Sequence, residues 1–92
     1  MKVTICGVPH RVIECKDDFD ADIHFGLIDY KACEIKINGD LTSEMKDSTL
    51  VHEMMHGILM HLGYEELAQD EKFVRVLGNE IYRSFSIRFE RE

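Results

Sequence analysis

Tryptophan is absent from this 92-residue chain, proline occurs once, and cysteine three times. A single proline leaves no room for a proline-rich linker, and no low-complexity tract or internal repeat is present. Cys6, Cys15 and Cys33 are odd in number and show no C-x-x-C spacing. That excludes a disulfide framework or a cysteine zinc ribbon, and the three are expected as reduced, half-buried strand residues. Positive charge is also scarce: 11 Lys and Arg stand against 18 Asp and Glu, a net −7. Such a balance argues against a nucleic-acid surface, which needs clustered basic side chains. No apolar run approaches the 18 residues of a membrane span, and the N-terminus has no signal-peptide apolar region. A cytoplasmic chain without membrane contact is therefore expected. With 45% hydrophobic and 32% charged residues, the composition is that of a folded domain. Residues 1–92 suffice for one core and not for a second, substrate-binding domain.

What is present divides into a β-rich half and a helical half. Residues 2–6 and 10–15 alternate as strands around Gly7-Val8-Pro9, a hairpin signal. An acidic stretch, Lys16-Asp17-Asp18-Phe19-Asp20-Ala21-Asp22, reads as a solvated loop. Ile23, Phe25 and Leu27 then alternate with His24 and Gly26. Cys33, Ile35 and Ile37 alternate with Glu34 and Lys36, so two more strands joined near Asp29-Tyr30-Lys31 are expected. From Thr42 or Ser43 a helix follows, carrying Glu44 in its first turn, an inward stripe of Val51, Met55, Ile58 and Leu62, and Gly63 as its stop. A second helix begins near Gln69 or Asp70, with Val74, Leu77, Gly78, Ile81, Tyr82 and Phe85 facing inward. The order predicts an α+β domain: a small antiparallel sheet of about four strands, then two packed helices on one face.

Within the first helix lies His52-Glu53-Met54-Met55-His56, an H-E-x-x-H cluster. Given the His and Glu content, chance would produce it about 3 times in 100 such chains. Residues four apart on a helix lie one turn above each other, so His52 and His56 can address one metal ion. Glu53 borders the same site, where a carboxylate can take a proton from a metal-activated water.

A catalytic zinc site usually has a third protein ligand. His61, five residues past His56, points about 140° away from it and about 180° from His52, out of reach while the helix continues. Leu59 and Leu62 occupy the positions where a longer three-histidine motif needs Gly and His. On the second helix, Glu71 shares a face with Val74, Gly78, Tyr82 and Phe85, and a carboxylate drawn inward wants a cation. Glu71 is the best third ligand, with Glu66 and Asp70 as alternatives. Gly78 on that face permits close approach of the two helices. Tyr30, Tyr64 and Tyr82 are candidates to stabilise an oxyanion, and Tyr82 is favoured because it shares the face of Glu71. His10 and His24 lie in strand regions and read as core or surface histidines.

With these residues the chain resembles the zincin metallopeptidases of gluzincin type, which carry H-E-x-x-H on one helix and a glutamate ligand on a later one. More narrowly, most of it resembles the small single-domain zincin-like proteins of phages and prophages. The similar segments are Gly26-Leu27-Ile28-Asp29-Tyr30, Thr49-Leu50-Val51-His52-Glu53-Met54-Met55-His56 and Asp70-Glu71-Lys72-Phe73-Val74. The resemblance implies His52, His56 and Glu71 as zinc ligands, Glu53 as general base, and a strand beside the helix that aligns an extended peptide. Larger gluzincins often have an aspartate four residues after the ligand glutamate, orienting a histidine. Here that position is Arg75, which leaves Asn79 or a backbone carbonyl for the task.

The expected activity is a zinc-dependent metallopeptidase that hydrolyses a peptide bond by Glu-assisted attack of a zinc-activated water. So small a chain would take its specificity from one peptide or protein target, a protein partner or a homo-oligomer. The alternative is a non-catalytic zincin-like module in which zinc stabilises a small protein-binding fold.

Overall fold

In the computed structural model, which describes residues 1–16 and 25–90, two consecutive residues of positive φ start the fold. Cys6 (φ 49°) and Gly7 (φ 82°) form a two-residue loop between β1 (Lys2–Ile5) and β2 (Val8–Cys15). Two left-handed residues match the twist of an antiparallel hairpin, and the register closes with Ile5 opposite Val8. The turn therefore sits one residue earlier than Gly7-Val8-Pro9 suggests, and Pro9 lies inside β2 opposite Thr4. Pro9 is tolerated because it falls before the stretch, Arg11 to Cys15, where β2 gains its second neighbour.

The remaining strands are β3 (Gly26–Asp29) and β4 (Glu34–Asn38), in the sheet order β1-β2-β4-β3. Their hairpin is held at Asp29, whose Oδ1 accepts from the backbone N–H groups of Lys31 and Ala32, both at 3.0 Å. Cys33 takes φ 51° where the turn ends. β3 is antiparallel to β4, but β4 runs parallel to β2, so the sheet is mixed and not wholly antiparallel. The physical reason is an insertion. The strand after β2 in the chain, β3, lies one strand position away at the edge, and β4 fills the gap beside β2. The acidic stretch from Asp17 onward, Ile23 and His24 lie outside the described residues.

One sheet face carries Val3, Ile5, Ile35 and Ile37, which with Leu50 form the buried core. Ile28 packs against it, whereas Phe25 and Leu27 are exposed. β3 thus presents the opposite alternation from the one that Ile23, Phe25 and Leu27 predict. The cysteines are free, as expected, but only Cys15 is a strand residue; Cys6 and Cys33 occupy the two turns.

Over this face lies α1 (Ser43–His61), capped by Thr42, whose hydroxyl accepts from the Met45 N–H at 3.2 Å. It ends at Gly63 (φ 87°), where the Gly63 and Tyr64 N–H groups bond the Met60 and Leu59 carbonyls. Two glycines bring helix and sheet together. A Cβ on Gly57 would meet Ile5 and Ile28 at 2.9 and 3.0 Å, and one on Gly26 would meet Thr49 Cγ2 at 2.7 Å. The second helical stretch is split into α2 (Glu65–Gln69) and α3 (Glu71–Ser84). Asp70 separates them and caps α3, accepting from the Phe73 N–H at 3.0 Å. Val74 and Gly78 are buried as expected, and the place of a Gly78 Cβ lies 3.5 Å from His52 Cα. Leu62 and Phe85, expected inward, lie exposed at or past helix ends. Among the described residues, no helix is long and apolar enough to cross a membrane.

Candidate metal centre

α1 presents His52 and His56 toward α2 and α3, one turn apart, with ring centroids 4.9 Å from each other. Glu71, the first residue of α3, reaches both. His52 Nε2 lies 2.7 Å from Glu71 Oε1, His56 Nε2 3.1 Å from Oε2, and the two Nε2 atoms are 3.2 Å apart. Tetrahedral ligands 2.0–2.1 Å from a zinc ion stand about 3.3 Å from each other, so three donors already cluster at nearly that spacing. Among the described residues, His52, His56 and Glu71 form the group able to hold a metal ion.

The hydrogen bonds set the donors that this cluster offers. The Ala68 carbonyl can only accept, so His56 Nδ1–H donates to it, at 2.6 Å. His56 Nε2 then faces a carboxylate oxygen of Glu71 and the Nε2 of His52. A proton on His52 Nε2, donated to Glu71 Oε1, can hold these atoms together, and so can a cation placed among them. His52 is not itself that cation. Burial holds this imidazole below its ordinary value and outweighs the opposite pull of Glu71, while His56 and Arg75 lower it further. Two neutral imidazoles and a carboxylate suit a divalent transition metal, zinc among them. The residues fit such an ion.

Glu71 does not owe its place to burial. Its side chain is 63% exposed, because it precedes the packed part of α3, and its aim at the histidines is set by the Asp70 cap and the break before it. Of the alternatives, Glu66 is exposed on α2 and Asp70 is occupied as the cap. His61 stays away from the cluster, as the helical angles require, and packs edge-on against His10, centroids 5.7 Å apart. His10 is fully buried; its Nδ1 donates to the Val8 carbonyl, and its Nε2 has no partner among the described residues.

Glu53 is buried beside the cluster, 3.9 Å from His52 Nε2. Burial, and then the charge of Glu71, push its carboxyl up to about 8. A groove passes over it. One part, about 330 Å³, is lined by Met45, Thr49, His52, Arg75 and Asn79; the other, about 540 Å³, by Leu27, Tyr30, His56 and Ala68. Gly26, Glu53 and Glu71 belong to both, so the parts meet at the cluster, along the edge strand β3.

The structure brings Tyr30, and not the favoured Tyr82, to this groove. Tyr82 lies eleven residues beyond Glu71, about 16 Å along the helix axis, so a shared face does not make it a neighbour. Burial, then Glu53 and Glu71, raise the Tyr30 hydroxyl above its ordinary value of 10.0. A backbone carbonyl was one of the expected partners for a ligand histidine, but its place on α2 was not legible, since nothing in the pattern marked α2 as an element. Of the two substitutes for the missing aspartate, the Ala68 carbonyl bonds His56, and Asn79 lines the groove. No protein-family model matches the chain, and neither a curated protein nor a solved structure matches it.

Proposed function

We propose that the chain is a zinc-dependent metallopeptidase acting on an extended segment of a peptide or protein. The observation that carries this reading is the convergence of His52, His56 and Glu71 beside the buried carboxyl of Glu53, midway along a groove bordered by a sheet edge. The resemblance to small gluzincin-type zincins points the same way. His52, His56 and Glu71 would hold the ion, which when bound acidifies a coordinated water and polarises a carbonyl.

The protein's own groups supply the rest. Glu53, ionised once a cation stands beside it, takes the proton from the attacking water and returns it to the leaving amine. The Tyr30 phenol keeps its proton throughout the neutral range and can donate to the oxyanion that develops on the carbonyl. Among the described residues β3 has a neighbour on one side only, so its outer edge can pair with an extended substrate and lay it along the groove. The Ala68 carbonyl fixes the tautomer of His56. Free cysteines fit a cytoplasmic setting.

Glu53→Gln tests the reading. The variant should keep one zinc and its fold while losing cleavage of every peptide that the parent cleaves. Retention of the biological effect by this variant would instead assign the chain as a zinc-stabilised binding module.

A further inference from the structure

Among the described residues lining the groove, Arg75 is the sole lysine or arginine. One turn before it on α3 stands Glu71, the natural i, i+4 partner for its charge. Glu71, however, is turned to His52 and His56, and Arg75 makes no ion pair among the described residues. Its charge still reaches the metal cluster, where it acts on His52. One turn further on, Asn79 lines the same cleft. A guanidinium and an amide one turn apart on a helix offer several N–H donors to one planar acceptor. Ser48 and Thr49 of α1 line the cleft as well. In a chain of net charge −7, an arginine beside the cluster with no ion pair among the described residues is a selective feature rather than part of a general basic surface.

We propose that the Arg75–Asn79 end of the groove binds a carboxylate of the substrate, so that the peptides preferred are those with an acidic side chain or a free terminal carboxylate near the scissile bond. This rests on the peptidase reading above. A divalent ion in the cluster offsets the carboxylates of Glu53 and Glu71 and leaves Arg75 as the uncompensated charge. The arginine fork then pairs with the incoming carboxylate in two parallel hydrogen bonds. Because Arg75 is exposed, screening keeps the preference near the lower end for charge-assisted bonds, about tenfold in affinity or kcat/KM.

The test uses zinc-loaded protein and one peptide series that differs only by Asp or Asn, Glu or Gln, at successive positions, each with a free or amidated C-terminus. The acidic peptide should be cleaved about tenfold better than its amide counterpart at one position, with the gap closing at high salt. Arg75→Gln should bring that ratio to about 1, and Arg75→Glu should turn the preference toward lysine. Dependence on the free C-terminus identifies the terminal carboxylate as the ligand; dependence on a side chain identifies an acidic residue. Equal rates for acid and amide, or a ratio that survives Arg75→Gln, would overturn the proposal. Calorimetric binding of the same peptides to zinc-loaded Glu53→Gln, with and without Arg75→Gln, reads the preference without turnover. If no peptide is cleaved, the peptidase reading fails, and the binding ratio alone decides the role of Arg75.

Discussion

Replacing Glu53 by glutamine in the metal-free protein probes the site through folding rather than through activity. The Glu53 carboxyl stands at about 8 instead of its ordinary 4.5, because burial and the charge of Glu71 disfavour its ionised form. Between those two values the native state holds a proton that the unfolded chain has released. Stability therefore falls as pH rises through this window and levels off above it. At 1.36 kcal/mol per pH unit, the full loss is ~5 kcal/mol, of which ~3 kcal/mol has accrued by pH 7. These are upper values, since water entering the groove relaxes the penalty, yet they are large beside the 5–15 kcal/mol typical of a whole domain. His52 works in the other direction. Its value is lowered in the fold, so stability rises with pH up to about its unfolded value of 6.5 and is then constant. The range from pH 7 to 9 thus isolates Glu53. Urea unfolding of the chelator-treated protein should show a loss of ~1 kcal/mol from pH 7 to 8 and little more beyond. Glu53→Gln should remove that slope and be more stable than the parent at pH 8. A saturating divalent metal should erase most of the difference by holding Glu53 ionised without penalty. A flat profile for the parent, or a Gln variant less stable at pH 8, would refute the account of this carboxylate.

The remaining predictions concern the groove and the contacts that shape it. Tyr30→Phe should lower kcat by about 10- to 100-fold with little change in KM, whereas Tyr82→Phe should leave both near the parent values. Gly26→Ala places a methyl 2.7 Å from Thr49 Cγ2 and 3.0 Å from the Lys36 carbonyl, and should destabilise by ~1–3 kcal/mol in urea unfolding. Gly78→Ala meets its nearest neighbour at 3.5 Å, ordinary contact, so the better helix propensity should show as a gain of ~0.5–1 kcal/mol. Thr42→Ala deletes the N-cap bond to Met45 and should cost ~1 kcal/mol in the same assay.

The parts of the site that depend on one element's own period could be read from the chain. Spacing by four placed His52 and His56 together, the same angles sent His61 elsewhere, and Gly63 ended α1 where a left-handed residue was needed. Glu71 was also legible, though for a different reason than its position: the face was right, but the carboxylate is exposed and held by the Asp70 break. What escaped depends on how elements meet. Neighbours in sequence were taken as neighbours in the sheet, and the insertion of β4 between β2 and β3 leaves no local mark. The long link after β2, unsuited to a tight hairpin, was the available hint. Tyr30 and Tyr82 were ranked by helical face alone, which carries no information about distance along the axis or about a strand turn folding back over the groove. Similarly, the Ala68 carbonyl is a backbone group with no residue preference to betray it. The alternation of β3 failed because Gly26 lies under α1, where a larger side chain has no space, and Leu27 is left outside.

Titration of the chelator-treated protein with zinc against a competing chelator tests most directly whether His52, His56 and Glu71 form a metal centre. The account predicts one zinc per chain, a higher unfolding temperature on binding, and affinity reduced by more than about 100-fold in each of His52→Ala, His56→Ala and Glu71→Gln. Absence of stoichiometric binding, or binding that those three substitutions leave unchanged, would contradict it.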